Sequence, residues 1–477
     1  MKPDDATCYD ALAGRDPQFD GVFFVGIATT GIYCRPVCTA RTPRRDNCTF
    51  YRSAAEAEGH GFRACFVCRP ELAPGDAPVD ATAQLAARAV SRIREGFLND
   101  HSVSDLAAEL GVTSRHLRRA TMAQVGATPV QLAQSARLGL AKRLLQDSKI
   151  SVTQVALAAG FGSVRRFNAA FSERFRRAPS TFRKDADAPE GPALTLRLDY
   201  RPPLDWGTQI AWYLRRATTG VERVDADTGT LHRLVQIGPC RGRIQVAHHK
   251  SRNALVATID HALMPQLMAL TARLRQTFDL DARPEMLAAH FAHDDALAAA
   301  WRAAPGLRIP GAFSPFEAAV RAVLGQQVSV EAATTLAGRV TQRFGDAATG
   351  HEQSGLTHFF PHPAALAKAD LQEVIGLGLT GRRAATLVAV GALFAEDPPV
   401  AQLLDRMRAL HGVGPWTCHY VALRGLHRVD VFPAGDLGIR KALGRISERQ
   451  ARDRAEAWAP YRSYAALALW NAPAPAS

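Results

Sequence analysis

The chain has 477 residues, 47% of them hydrophobic and 22% charged, with a formal net charge of +13 at pH 7. That length accommodates three or more domains, each with its own core, and no apolar run approaches the roughly 18 residues that cross a bilayer, so no membrane partner is expected. The opening Met1-Lys2-Pro3-Asp4-Asp5 lacks an apolar signal segment, which points to the cytoplasm and to reduced thiols.

Charge is unevenly placed along the chain. Lys and Arg number 9 against 11 Asp and Glu over residues 1–81, but 17 against 6 over residues 82–184. A basic stretch of that kind is the footprint of polyanion binding, because each cation that neutralises a phosphate releases condensed counterions.

At the front, Cys34 and Cys38 form a C-x3-C pair, and Cys65 and Cys68 a C-x2-C pair. Four thiolates at these spacings close a tetrahedral Zn²⁺ shell from two short turns. On spacing alone a clip that only folds a small domain is the better reading. Cys8, Cys48, Cys240 and Cys418 are scattered and read as ordinary thiols, with Cys48 poorly spaced to compete as a ligand.

Pro70 to Pro78 reads as a linker, and Asp185 to Pro192 as a second. Between them one design occurs twice. Ser104 to Leu110, a turn at Gly111 and Thr113 to Arg119 are matched by Val152 to Ala159, a turn at Gly160 and Ser163 to Phe167. Each is helix, glycine turn, helix, with a Ser or Thr placed to cap the second helix. The two units, joined by a helix around Arg137 to Leu145, resemble the AraC-type DNA-binding domain. The resemblance implies two recognition helices in successive major-groove segments, with Arg115, Arg118, Arg119, Arg165, Arg166 and Asn168 as contacts.

Thr29 to Cys38 and Gly61 to Pro70 look like the zinc domain of the Ada-type alkylation-response proteins, over about residues 5–72. That resemblance implies that Cys34 takes a methyl group irreversibly from a methylated DNA phosphate, since Zn²⁺ keeps the thiol deprotonated and a methyl phosphotriester needs only an in-line thiolate. Converting one thiolate to a thioether lessens repulsion from phosphates. The resemblance further implies that the methylated protein activates transcription of repair genes at promoter DNA, with RNA polymerase as a further partner.

Residues 194–260 alternate apolar and polar, as in Leu194 to Leu198 and Arg243 to Val246, which predicts an antiparallel sheet. Helical periodicity dominates from about 261. Within it, Leu410-His411-Gly412-Val413-Gly414-Pro415-Trp416-Thr417 reads as a helix-hairpin-helix, whose glycines let the backbone approach a DNA phosphate. Val374 to Gly378 is a fainter echo and reads as an ordinary turn. The hairpin is followed by Asp430 to Arg440, with Asp436 at a helix start. Together with Ser314 to Val330, Trp458 to Ala465 and Tyr200 to Trp206, these segments resemble the AlkA-type 3-methyladenine DNA glycosylases of the HhH-GPD superfamily.

That resemblance implies a catalytic role for Asp436, stabilising oxocarbenium character on the sugar as an alkylated purine departs. Trp416 stands where members that also cut the backbone carry a Schiff-base Lys, which implies a monofunctional enzyme leaving an abasic site. Trp416, Tyr420 and Trp470 are the implied walls for the flipped base. Two departures stand out: Gln327 occupies the place of the apolar wedge, and Gly435, Leu437 and Gly438 flank Asp436 in place of an acid and a bulkier pair. No Pro-Cys-His-Arg segment of an alkylguanine transferase occurs; Gly238-Pro239-Cys240-Arg241 lacks the His.

The expected architecture is multidomain α+β: a zinc-binding methyl-acceptor domain (1–75), an all-α tandem helix-turn-helix domain (80–185), a β-rich subdomain (193–305) and an all-α HhH-GPD domain (306–477). The expected function is repair of and response to alkylation damage on double-stranded DNA. Two alternatives stay open at this point: a regulator whose glycosylase-like half only senses lesions, and a glycosylase with a purely structural zinc domain.

Overall fold

The computed structural model describes residues 3–73, 84–182, 193–350 and 354–471. The chain divides into two compact units. One holds residues 1–202, 249–273 and 280–282, and the other 203–248, 274–279 and 283–477. Among the described residues no helix is long and apolar enough to cross a membrane.

The first unit opens on a four-stranded sheet of β1 (Phe24–Ile27), β2 (Ile32–Cys34), β3 (Cys48–Tyr51) and β4 (Arg63–Ala64), in the order β3-β1-β2-β4. Gly31, at φ +63, makes the turn between β1 and β2. β2 pairs antiparallel with β1 and parallel with β4, Tyr33 facing Ala64. This register sets the ends of β2 and β4 side by side, and each strand runs directly into one cysteine pair.

The basic segment is helical and includes the two expected helix-turn-helix units. Val103–Glu109 leads to Ser114–Val125, and Val152–Ala158 to Val164–Phe175, with Pro129–Asp147 between the units. The predicted caps are present: Thr113 Oγ1 accepts from His116 N at 3.2 Å, and Ser163 Oγ from Arg166 N at 3.2 Å. Gly111 and Gly160 hold the turns at φ +72 and +81. Leu106, Leu117, Val155 and Phe167 are buried, so the opposite face of each second helix is left to solvent.

The segment from Pro70 begins as packed structure rather than as a linker. Pro70–Leu72 is a single 3₁₀ turn, and its Glu71 pairs at 2.9 Å with Lys142, a side chain of zero exposure that also donates to the Cys65 carbonyl at 2.9 Å. A buried ammonium needs such partners, because desolvation costs more than most single contacts return. The rest of that segment from residue 74, and the second expected linker at 185–192, lie outside the described residues. β5 (Ala193–Asp199) completes this unit by pairing antiparallel with β9 (Ala254–Asp260).

In the second unit β6 (Glu222–Asp225), β7 (Thr230–Ile237) and β8 (Cys240–His249) form an antiparallel meander. Gly238-Pro239 is the turn between β7 and β8. The alternating stretch is interrupted by a helix, Trp206–Leu214, capped by Asp205 through Thr208 N at 3.0 Å. Beyond 283 the unit is helical, around a core that includes Val320, Val323, Leu387, Val390, Met407 and Val421. The fainter glycine echo, read as an ordinary turn, joins two helices, Leu371–Gly376 and Gly381–Ala395, with Gly378 at φ +100.

Glu71→Ala leaves the buried Lys142 ammonium with the Cys65 carbonyl but without its counter-charge. It should lower the free energy of the first unit's urea unfolding by about 3–5 kcal/mol, followed by circular dichroism; a loss below about 1 kcal/mol would show the pair to be dispensable.

Candidate functional site

The Sγ atoms of Cys34, Cys38, Cys65 and Cys68 all lie within 4.8 Å of one another. Tetrahedral Zn²⁺ with Zn–S near 2.3 Å sets its sulfurs about 3.8 Å apart, inside this limit. Backbone amides turn inward on them, Arg35 N to Cys68 Sγ and Val67 N to Cys65 Sγ, each at 3.4 Å. Four cysteine sulfurs converging from two short turns are a donor set that fits zinc. Cys48 stays outside the cluster, donating to the Arg44 carbonyl at 3.3 Å.

Arg35, next to Cys34, is buried between two carboxylates. It pairs with Asp20, and with Asp199 at 3.1 Å, and donates to the Cys68 carbonyl at 3.1 Å. The cluster is well shielded, Cys34 being 3% exposed.

Arg115, Arg118 and Arg119 on one second helix, and Arg165, Arg166 and Asn168 on the other, are all exposed. The first three line an open groove with Ser114, Met122 and Thr128. The surface therefore offers cations in the place where a capped second helix meets DNA.

In the second unit the hairpin lies between helices Val400–Arg408 and Pro415–Arg424. Gly412 has φ +85, and a Cβ there would come within 2.1 Å of Thr386 Oγ1, so only glycine fits. Thr386 Oγ1 donates to the His411 carbonyl at 3.0 Å, and Gln326 Nε2 to the Gly412 carbonyl at 3.0 Å. At Gly414 a Cβ would meet nothing, and no side chain caps the helix it opens. Free amides at a helix start are suited to an anion. Gln327 follows the inward-turned Gln326 on an exposed loop, at φ +57.

Trp416 and Tyr420, four residues apart on one helical face, stack with centroids 5.4 Å apart and planes at 29°. Asp436 caps Leu437–Ala442 through Ile439 N at 3.0 Å and accepts two indole N–H groups, from Trp416 at 2.9 Å and from Trp470 at 3.1 Å. The expected carboxylate and the three expected aromatics thus come together. Gly438 permits this closeness, since a Cβ there would lie 3.1 Å from Asp436 Oδ1.

Sequence reasoning missed Trp212, whose ring lies 5.7 Å from that of Trp470, and the arginines around it. Arg216 stacks 3.6 Å over Trp212, and Arg424 lies 5.4 Å from the same ring. Trp212 lies on helix Trp206–Leu214, within the stretch whose alternation predicted a sheet, so no spacing signal marked its ring.

Profiles of four families match the chain: the metal binding domain of Ada at residues 7–71, a helix-turn-helix domain at 106–185, the AlkA N-terminal domain at 195–314, and the HhH-GPD superfamily base excision DNA repair proteins at 320–459. A Mycobacterium tuberculosis protein described as a probable bifunctional transcriptional activator/DNA repair enzyme AlkA is 37% identical over 490 residues, spanning 99% of this chain and 97% of that one. DNA-3-methyladenine glycosylase 2 of Escherichia coli is 34% identical over 280 residues, 57% of this chain and 95% of its own length. A solved 3-methyladenine DNA glycosylase from Archaeoglobus fulgidus superposes with a TM-score of 0.50 at 22% identity, covering 58% of this chain and 97% of that one, and so shares its fold. By its likeness to the mycobacterial protein over almost its entire length, the chain belongs to the family of bifunctional transcriptional activator/DNA repair enzymes that carries the name AlkA.

Proposed function

We propose that this chain is a monofunctional DNA glycosylase that excises N-alkylated purines such as 3-methyladenine, and that its zinc thiolate accepts methyl groups from DNA methylphosphotriesters to activate sequence-specific transcription. The observation that carries the first activity is the Asp436 carboxylate, held by two indole N–H groups beside a stacked aromatic pair. An N-alkylated purine is already a good leaving group. As its bond to C1′ lengthens, positive charge grows on the sugar, and a fixed carboxylate stabilises that charge without having to reorganise. Water completes the reaction at C1′, leaving an abasic site and the free base. Trp416, Tyr420 and Trp470 offer faces for an electron-poor ring, while the Gly412 to Gly414 turn and Gln327 hold the duplex and the gap left in the stack.

In the zinc domain, bound Zn²⁺ would supply a thiolate at neutral pH. Cys34 Sγ attacks the methyl carbon, the C–O bond to the phosphotriester breaks, and a phosphodiester departs. Shielding of the cluster supports selectivity, since small alkylators meet little exposed sulfur. The helix-turn-helix pair then reads promoter DNA through Arg115, Arg118, Arg119, Arg165, Arg166 and Asn168, with RNA polymerase as the downstream partner.

Three outcomes are expected. Asp436→Asn should slow single-turnover release of 3-methyladenine from methylated duplex by about 100-fold or more, with duplex affinity within a few-fold of the parent; undiminished release would remove the carboxylate from the chemistry. Mass spectrometry after incubation with methylphosphotriester DNA should place one added methyl on the Cys34 peptide, and both Cys34→Ser and removal of zinc by a chelator should abolish it. Replacing Arg118 and Arg165 by Ala should weaken promoter binding and reduce the slope of log affinity against log salt by about 1 per lost phosphate contact; an unchanged slope would place DNA elsewhere.

A further inference from the structure

Asp279 is a buried carboxylate that takes hydrogen bonds from three separate parts of the second unit. Its Oδ1 accepts from His427 Nε2 at 2.9 Å, and its Oδ2 accepts from the Tyr464 hydroxyl at 2.9 Å and from Ile309 N at 3.1 Å. His427 lies just beyond the end of helix Pro415–Arg424, and Tyr464 near the start of helix Arg462–Asn471. The other ends of the same two helices carry Trp416 and Trp470, whose indoles meet on Asp436. The pair of helices is therefore cross-linked twice, at one end by Asp436 and at the other by Asp279.

The backbone at Asp279 makes a fixed point. The Tyr213 hydroxyl and Gly311 N both donate to the Thr277 carbonyl, at 2.6 and 2.9 Å. Gln209 Nε2 donates to the Phe278 carbonyl, and Arg308 Nη1 to that of Asp279, each at 3.2 Å. His427 is the opposite case. Its φ of +52 is a left-handed conformation, which a residue with a Cβ keeps when its surroundings impose it. Its ring Nδ1 is buried without a hydrogen-bond partner, so among the described residues the bond to Asp279 is what orients the ring. The run that follows is bound to the same second helix, where Ser463 Oγ donates to the Arg428 carbonyl at 2.6 Å and accepts from Val431 N at 3.1 Å.

We propose that Asp279 is a positioning residue for base excision. By fixing the far ends of the two helices it sets the separation of the Trp416 and Trp470 indoles, and with it the direction in which the Asp436 carboxylate faces the sugar. The inference rests on the glycosylase reading and extends it from the groups that meet the substrate to the group that sets their spacing. A misplacement of about 1 Å at a reacting centre slows a reaction by up to about a hundredfold, so a clamp of this kind acts on rate rather than on hold of the duplex.

The test cuts one arm at a time in the full-length protein. Tyr464→Phe removes only a hydroxyl, His427→Leu removes the ring donor, and His427→Gln offers an amide N–H in its place. In protein isotope-labelled at its tryptophans, the indole N–H resonances of Trp416 and Trp470, assigned by their loss in Trp416→Phe and Trp470→Phe, should move in both cut variants and return in His427→Gln. Single-turnover release of 3-methyladenine should fall by about tenfold or more in both cut variants, with duplex affinity within a few-fold of the parent, and His427→Gln should recover most of the rate. The preference for duplex carrying a cationic pyrrolidine over one carrying a neutral tetrahydrofuran should fall with the rate, whereas a role confined to stability would weaken both duplexes alike. Indole resonances unmoved in Tyr464→Phe, an unchanged rate, or His427→Gln behaving as His427→Leu overturns the proposal. If His427→Leu does not fold, Tyr464→Phe decides alone. If the parent releases no base from any duplex, the glycosylase reading fails, while the resonances still decide whether Asp279 sets the indoles.

Discussion

A carboxylate clasped by two indole N–H groups is the constraint on which the second unit turns. The hydrogen bonds from Trp416 and Trp470 hold the Asp436 carboxylate beside the aromatic rings and fix the direction of both indoles. Trp416 is fixed in turn by the helix that the Gly412 to Gly414 turn begins, and that turn is held by Gln326 and Thr386. The backbone that would meet a phosphate and the carboxylate that would meet a sugar are therefore joined through one short helix. A displacement of the hairpin would be felt at the carboxylate.

The first unit solves a related problem with sulfur. Four cysteine sulfurs within 4.8 Å of one another form a donor set suited to one dication, and the surrounding protein already carries buried charge that must be matched. Arg35 lies between Asp20 and Asp199, and Lys142 lies between Glu71 and the Cys65 carbonyl. Lys142 belongs to the long helix between the two helix-turn-helix units, so the metal loop and the basic domain share a buried ion pair. A change in the charge of the sulfur cluster thus has a short physical route to the helices that carry the exposed arginines.

Features set by local spacing were legible in the sequence. The two cysteine pairs, the Thr113 and Ser163 caps, the glycines of the turns and Asp436 at a helix start all depend on residues a few positions apart. Partners brought together by the tertiary fold were not. Asp199 stands 164 residues from Arg35, and nothing in its strand marks it as a partner for a guanidinium. Trp212 and Arg216 fall in the stretch read as alternating strand, and nothing local to either marks it as part of the site. The Pro-rich run after Cys68 suggested a linker because composition registers turn residues and cannot register that Glu71 would be drawn inward by Lys142. The helix within the alternating region was missed for a similar reason: the strand pattern on either side dominated.

The central claim is that Asp436 stabilises positive charge at the sugar rather than merely capping a helix. The most direct measurement is the affinity of the full-length protein for duplex DNA carrying a cationic pyrrolidine at an abasic position, compared with a neutral tetrahydrofuran at the same position. A preference for the cationic duplex of about tenfold or more is predicted. Equal affinity for the two would contradict the account.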